Sequence, residues 1–187
     1  MNQTNTTNIG DAPAETTRAT GLRPYWLLKS AKALKLGKHA EGGIRYQILT
    51  DSQRQDPSFK IVGNEGGGYF SKEVVAFGNV EACLAAHPQD QPFPSKLLQT
   101  AFTGRSSNNA GFLAAILRAE GLLALAPDTE GRHVMSGDWA AWKASVLAEP
   151  GQSVELEPAG KEEKAEGNEA ATPPTDDAKD PPRRGKK

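Results

Sequence analysis

The sequence predicts an α+β protein of two small subdomains with disordered ends, and three features predict it. Residues 43–77 carry short apolar runs of strand length separated by turn compositions. Residues 95–148 carry apolar stripes at helical spacing, broken by a tight turn and by one hairpin signal. Both ends, 1–20 and 149–187, lack the large apolar residues that would offset the entropy of ordering them.

Element by element, the spacing in "RPYWLLKSAKALKLGKHA" predicts a helix from about Pro24 to Leu36, closed by Gly37. Leu27, Ala31 and Leu34 share one side of it, and Lys29, Lys32 and Lys35 recur on another. Such a lysine row is either a solvated face or a contact for phosphates or acidic lipid. In "GGIRYQILTD", Ile44, Tyr46 and Ile48 alternate with polar residues, "SFKIVGN" offers Phe59 and Ile61, and "GYFSKEVVAF" offers Phe70, Val74, Val75 and Phe77. With turn compositions between them, these runs predict a three-stranded antiparallel meander. The glycines of "GNEGGGYF" lead into β-formers rather than a helix, so a turn needing positive φ fits better than a phosphate loop. A short helix is expected at "NVEACLAAH".

The first subsystem therefore spans 21–86. "HPQDQPFP" is a proline-rich connection, placing a linker at 87–94 and a second subdomain at 95–148. "PSKLLQTAFTG" reads as a helix with Ser95 as cap, and "RSSNNAGFLAAILRAEG" as a second helix with Ser106 or Ser107 as cap and Gly121 past its end. "LLALAPDTEGRHVMSG" is a hairpin. "DWAAWKASVLAE" is a last helix capped by Asp138, burying Trp139 or Trp142 with Val146.

That order of helix, tight turn, helix, hairpin and helix over residues 94–148 resembles a winged helix-turn-helix module, with the helix at "NVEACLAAH" in front of it. The resemblance implies a second helix that reads duplex DNA. Its polar start, Arg105, Ser106, Ser107, Asn108 and Asn109, would meet base edges and phosphates. At 100° per residue, Phe112, Leu113, Ile116, Leu117 and Ala119 form an apolar arc. Ser107, Gly111, Ala114 and Arg118 form an opposite strip of small residues ending in a cation. Arg132 would lie on the wing, and Lys29, Lys32 and Lys35 would add cations. The same Ser and Asn residues also suit plain capping, and small residues also suit helix packing.

Charge fits this reading without demanding it. Between Gly21 and Ala148 there are 14 Lys and Arg against 11 Asp and Glu, whereas from Glu149 onward there are 7 against 10. The single cysteine, Cys83, excludes an intramolecular disulfide. The chain shows no signal peptide and no apolar run of membrane-spanning length, so a cytoplasmic protein without membrane contact is expected.

Candidates for catalysis are thin. His39, His87 and His133 lack metal-ligand companions at short spacing, Cys83 sits in an apolar run, and Glu65, Glu73 and Glu81 have no mechanistic spacing. The expectation is a non-enzymatic DNA-binding or transcription or replication accessory protein, without a cofactor or metal, whose affinity a homodimer would raise. The alternative is a protein-interaction adaptor or inhibitor without nucleic-acid affinity, engaged through Tyr25 and Trp26 or an exposed strand.

Overall fold

A computed structural model describes residues 21–37, 41–127 and 129–157. The segments 1–20 and 158–187 lie outside the described residues, as do Lys38, His39, Ala40 and Asp128. In chain order the elements are β1 (Arg23–Leu34), β2 (Gly43–Thr50), β3 (Pro57–Asn64), β4 (Val74–Ala76), α1 (Phe77–Leu84) and β5 (Phe93–Pro94). A 3-10 helix (Ser95–Ala101), α2 (Asn109–Ala119), β6 (Leu123–Leu125), β7 (Arg132–Met135), α3 (Trp139–Ala148) and β8 (Gln152–Leu156) complete it. The protein is mixed α+β, with two antiparallel sheets among the described residues, ordered β4-β3-β2-β1-β8 and β5-β7-β6.

The expected meander forms the β4-β3-β2 side of the larger sheet. Ile44, Tyr46 and Ile48 of β2 face inward with Phe59 and Ile61 of β3 and Val75 of β4, and all six are buried. Arg45, Gln47 and Lys60 point the other way, as strand alternation requires.

Residues 23–34 do not form the expected N-terminal helix; they are the long strand β1. Lys, Leu and Ala favour helices intrinsically, but pairing with β2 along most of its length and with β8 at Arg23–Leu27 overrides that preference. A bulge between Leu27 and Lys29 resets the alternation, after which Ala33 faces the core and Ser30 and Lys32 face outward. β8 itself lies in the stretch 149–187 expected to be a tail, and it closes the sheet against the start of β1.

The two segments expected as subdomains share one hydrophobic core. It runs from Ala33, Ile44, Tyr46 and Phe59 through Phe77 and Leu84 to Leu98, Leu113, Ile116 and Val146. Residues 87–94 are mostly exposed but contribute the buried ring of Phe93 to that core. Helix α3 is capped as expected, Asp138 Oδ1 accepting from the Ala141 N–H at 2.9 Å. Its Trp142 stacks on Phe59 and Phe77, with ring centroids 5.6 and 5.1 Å apart, tying α3 to β3 and α1.

Candidate functional site

Helix α2 is central rather than peripheral. It packs against the 3-10 helix, β1, β2 and β6. Ala110, Leu113, Ala114, Ala115, Ile116 and Leu117 are all buried, so the strip expected to face outward passes through an interior Ala114. Of that strip only Ala114 is interior: Ser107 is exposed, Arg118 is half-buried, and a Cβ on Gly111 would meet nothing within 4 Å. The buried alanines Ala110, Ala114 and Ala115 let the helix pack closely on its neighbours.

The polar start of α2 is largely engaged inside the molecule. Asn109 is fully buried and its Oδ1 accepts the Ser71 N–H at 2.9 Å, so it reaches no base edge. Ser106 Oγ and Asn108 Nδ2 both donate to the Tyr69 carbonyl, at 2.8 and 2.9 Å. Asn108, at the N-cap position, makes no side-chain cap bond, and Ser106 Oγ accepts only a long bond from the Asn108 N–H at 3.4 Å. Glu73, 9% exposed, accepts from Thr103 N and Oγ1, Gly104 N and Ser71 Oγ. The front end is therefore a clamp on the 69–73 segment. Arg105 and Ser107 are exposed, Arg118 is half-buried and Arg132 is exposed on β7.

The three lysines do not form a row. Lys32 lies on the outer sheet face and pairs with Glu65 at 2.7 Å, and Lys35 donates to the Glu65 carbonyl. Lys29 shares the face of Ile48 and pairs with Glu120 at 2.8 Å. Glu120, whose side chain is 3% exposed, also accepts from the Tyr46 hydroxyl and from Trp142 Nε1. Burial alone would raise its pKa, but the hydrogen bonds and the Lys29 charge hold it below the ordinary value, while the burial and that carboxylate push Tyr46 upward.

A different set of cations does share a surface. Cross-strand pairs Lys32↔Arg45, Ser30↔Gln47, Gln47↔Lys60 and Lys60↔Val74 place Lys32, Arg45 and Lys60 on the sheet face opposite the core. The glycines beside them leave room for the long side chains to lie along the sheet. A Cβ on Gly63 would stand 2.6 Å from Arg45 Nε, and one on Gly43 would overlap Lys32 Cε. Partial burial first, then the charge of Lys72, lowers the Lys60 pKa, against a smaller opposing effect of Glu157. Arg45 and Lys60 carried no signal in the sequence, because their proximity depends on strand register.

Two chemically capable groups that are remote in sequence also meet. Ser95 Oγ lies 2.7 Å from His133 Nε2. His133 is 2% exposed and its Nδ1 has no partner, so the imidazole has neither an orienting acid nor room for a substrate beside it. The pair joins the 3-10 helix to β7, and Ser95 is thus not the helix cap. His87 bonds the Gln91 carbonyl, and Cys83 lies 3.2 Å from Thr100 Oγ1. Among the described residues no three His, Cys, Asp or Glu side chains form a group able to hold a metal ion, and no helix is long and apolar enough to cross a membrane. Comparison with protein-family models, with curated proteins and with solved structures finds no match to this chain.

Proposed function

We propose that this chain is a non-enzymatic nucleic-acid-binding accessory protein whose contact surface is the outer face of the β4-β3-β2-β1-β8 sheet. The observation that carries the reading is the shared placement of Lys32, Arg45 and Lys60 on that face. Glu65 pairs with Lys32 and offsets part of the charge, which leaves Arg45 and Lys60 as the cations from which a polyanion would release counterions. Gln47, Ser30 and Ser58 on the same face supply neutral hydrogen-bonding groups between the cations. An open sheet with long side chains lying flat suits a single strand or a phosphate backbone better than it suits a major groove.

The order α1, β5, 3-10 helix, α2, β6, β7, with strand order β5-β7-β6, supports a winged-helix-like architecture for residues 77–135. In this reading the module is a scaffold, because α2 lies against the sheet. Fluorescence anisotropy of labelled mixed-sequence DNA, single-stranded and duplex, at low and moderate salt tests the proposal. Arg45→Gln/Lys60→Gln should weaken binding by about tenfold and flatten its salt dependence. Arg105→Ala/Arg118→Ala should leave it nearly unchanged. The opposite pattern would return the contact to the start of α2.

A protein-adaptor role is the second reading, favoured by the exposure of Leu34 (76%) and Tyr69 (64%). A salt-insensitive protein complex weakened by Leu34→Ser, without DNA affinity at low salt, would establish it instead.

A further inference from the structure

Away from the larger sheet, α1, the 87–90 loop, the end of β7 and the start of α3 enclose a solvent-open cleft of about 690 Å³. That volume is within the range of ligand pockets. None of the lining residues belongs to the β4-β3-β2-β1-β8 sheet. Leu84 is buried and Met135 and Trp139 are half-buried, so they make the floor, whereas Glu81, Asp90 and Asp138 are exposed at the rim. The lining includes no Lys or Arg. Glu65, Glu73 and Glu120 are each spent on internal donors, but Glu81 and Asp90 make no hydrogen bond or ion pair among the described residues. Both walls are fixed by internal hydrogen bonds. On one side the His87 N–H donates to the Leu84 carbonyl and His87 Nε2 to the Gln91 carbonyl, both at 2.9 Å. On the other, the Ser136 N–H donates to the Leu122 carbonyl at 2.9 Å, and Trp139 Nε1 to the Leu122 and Ser136 carbonyls at 3.1 Å each. Asp138 caps α3 through Oδ1, which leaves its second oxygen as an acceptor at the rim.

We propose that this cleft binds a short basic peptide segment of a protein partner. An Arg or Lys head group sits between the rim carboxylates, and a neighbouring apolar side chain rests on Leu84, Met135 and Trp139. Charge complementarity selects the cation. Three carboxylates line the cleft with no cation to offset them, in a fold that otherwise carries more Lys and Arg than Asp and Glu. Guanidinium and ammonium groups meet carboxylates in charge-assisted hydrogen bonds, and the indole of Trp139 adds attraction for a cation over its ring. Size selects the peptide, because the volume exceeds what one ammonium on a short stem fills and the open side admits a chain. Fixed walls lower the ordering cost of binding. The same carboxylates repel phosphate, so the cleft is separate from the proposed nucleic-acid face and does not depend on it.

Two-dimensional amide NMR of the full chain, titrated with the capped peptide Leu-Arg-Leu-Arg, tests this. Shifts should saturate with a Kd of about 0.1–1 mM and should map to residues 84–90 and 135–140 and to the Trp139 indole N–H. Glu81→Gln/Asp90→Asn changes two exposed positions and should weaken the contact by about threefold to tenfold. Glu149→Gln/Glu155→Gln removes as much charge outside the cleft and should leave affinity unchanged. The peptide Ala-Arg-Ala-Arg should bind several-fold more weakly, because it brings less apolar surface to the floor. Equal affinity for the wild type and the Glu81→Gln/Asp90→Asn variant would overturn the proposal, as would equal binding of Leu-Glu-Leu-Glu. If butylamine moved the same signals as tightly as the peptide, the occupant would be a free amine and the peptide assignment would fall. No localised shift at millimolar peptide would remove the site altogether and leave the nucleic-acid reading to its own test.

Discussion

At the scale of single residues, Glu73, Glu120 and His133 are the groups whose chemistry the fold constrains most. Burial alone would push the Glu73 carboxyl up, but its bonds from Thr103, Ser71 and Gly104 outweigh that and hold it below its ordinary 4.5. Its stabilising contribution is therefore present above pH 4.5 and is lost as pH falls through the lower folded value. Glu73→Gln turns an acceptor into a donor facing the 103–104 amides and should cost about 1.5–3 kcal/mol, read as a lower urea midpoint at pH 7. Glu120→Ala leaves the Tyr46 hydroxyl and the Trp142 N–H without their shared acceptor, at a cost of about 2–4 kcal/mol. Glu120→Gln should recover part of that loss. His133 responds at higher pH. Burial first, then the Arg118 charge, lowers its pKa below the ordinary 6.5. The unfolded chain then takes up the proton first, so stability is full above pH 6.5 and declines as pH drops towards the folded value. Urea midpoints measured between pH 7.5 and 5 should fall in the wild type, and His133→Gln should flatten that slope. Equal slopes would mean that the imidazole is not held neutral by the fold.

At the scale of elements, α2 separates two meanings of a small residue. Ala114 is fully buried, and Ala114→Leu would force extra volume into the packed core at a cost of about 1–3 kcal/mol. A Cβ on Gly111 would meet nothing within 4 Å, so Gly111→Ala should stabilise the helix by about 0.5–1 kcal/mol. Urea unfolding of the two variants should move in opposite directions, and destabilisation by Gly111→Ala would show that the helix needs that gap. From sequence the helix itself was legible, including its end at Gly121, where φ is +76° and Leu122 N–H reaches the Leu117 carbonyl. Its outward face was not, since a polar front end looks the same whether it meets solvent or clamps a neighbouring loop. The strands β2 and β3 were equally legible because alternation survives in them. β1 was not, because the bulge near Leu28 breaks the period of two and leaves lysines every third residue, which imitates a helical face. Nor was the cation surface, for Lys32, Arg45 and Lys60 meet only through strand register.

At the scale of the molecule, the chain closes on itself. β8 pairs with Arg23–Leu27, and Arg54 lies 5.0 Å from the Trp26 ring centre while donating to the Glu149 carbonyl at 3.1 Å. The beginning and the end of the described fold thus hold each other, and the core between them is continuous from Ala33 to Val146. A proline-rich stretch at 87–94 resembles a domain boundary in composition, yet the apolar surface on either side is buried against the other side, so neither segment keeps its core alone. Unfolding should therefore be one transition. Trp26 lies in β1 and Trp139 and Trp142 in α3, so tryptophan fluorescence weighs both halves, and far-UV circular dichroism weighs the backbone throughout. In urea the two curves should coincide. A chain ending at Glu149 removes the pairing of β8 and uncovers the β1 edge, so its midpoint should fall and its curves should still coincide. Two separated transitions in the full chain would mean that the shared core is not a cooperative unit and that the sheet and the α2–α3 segment fold independently.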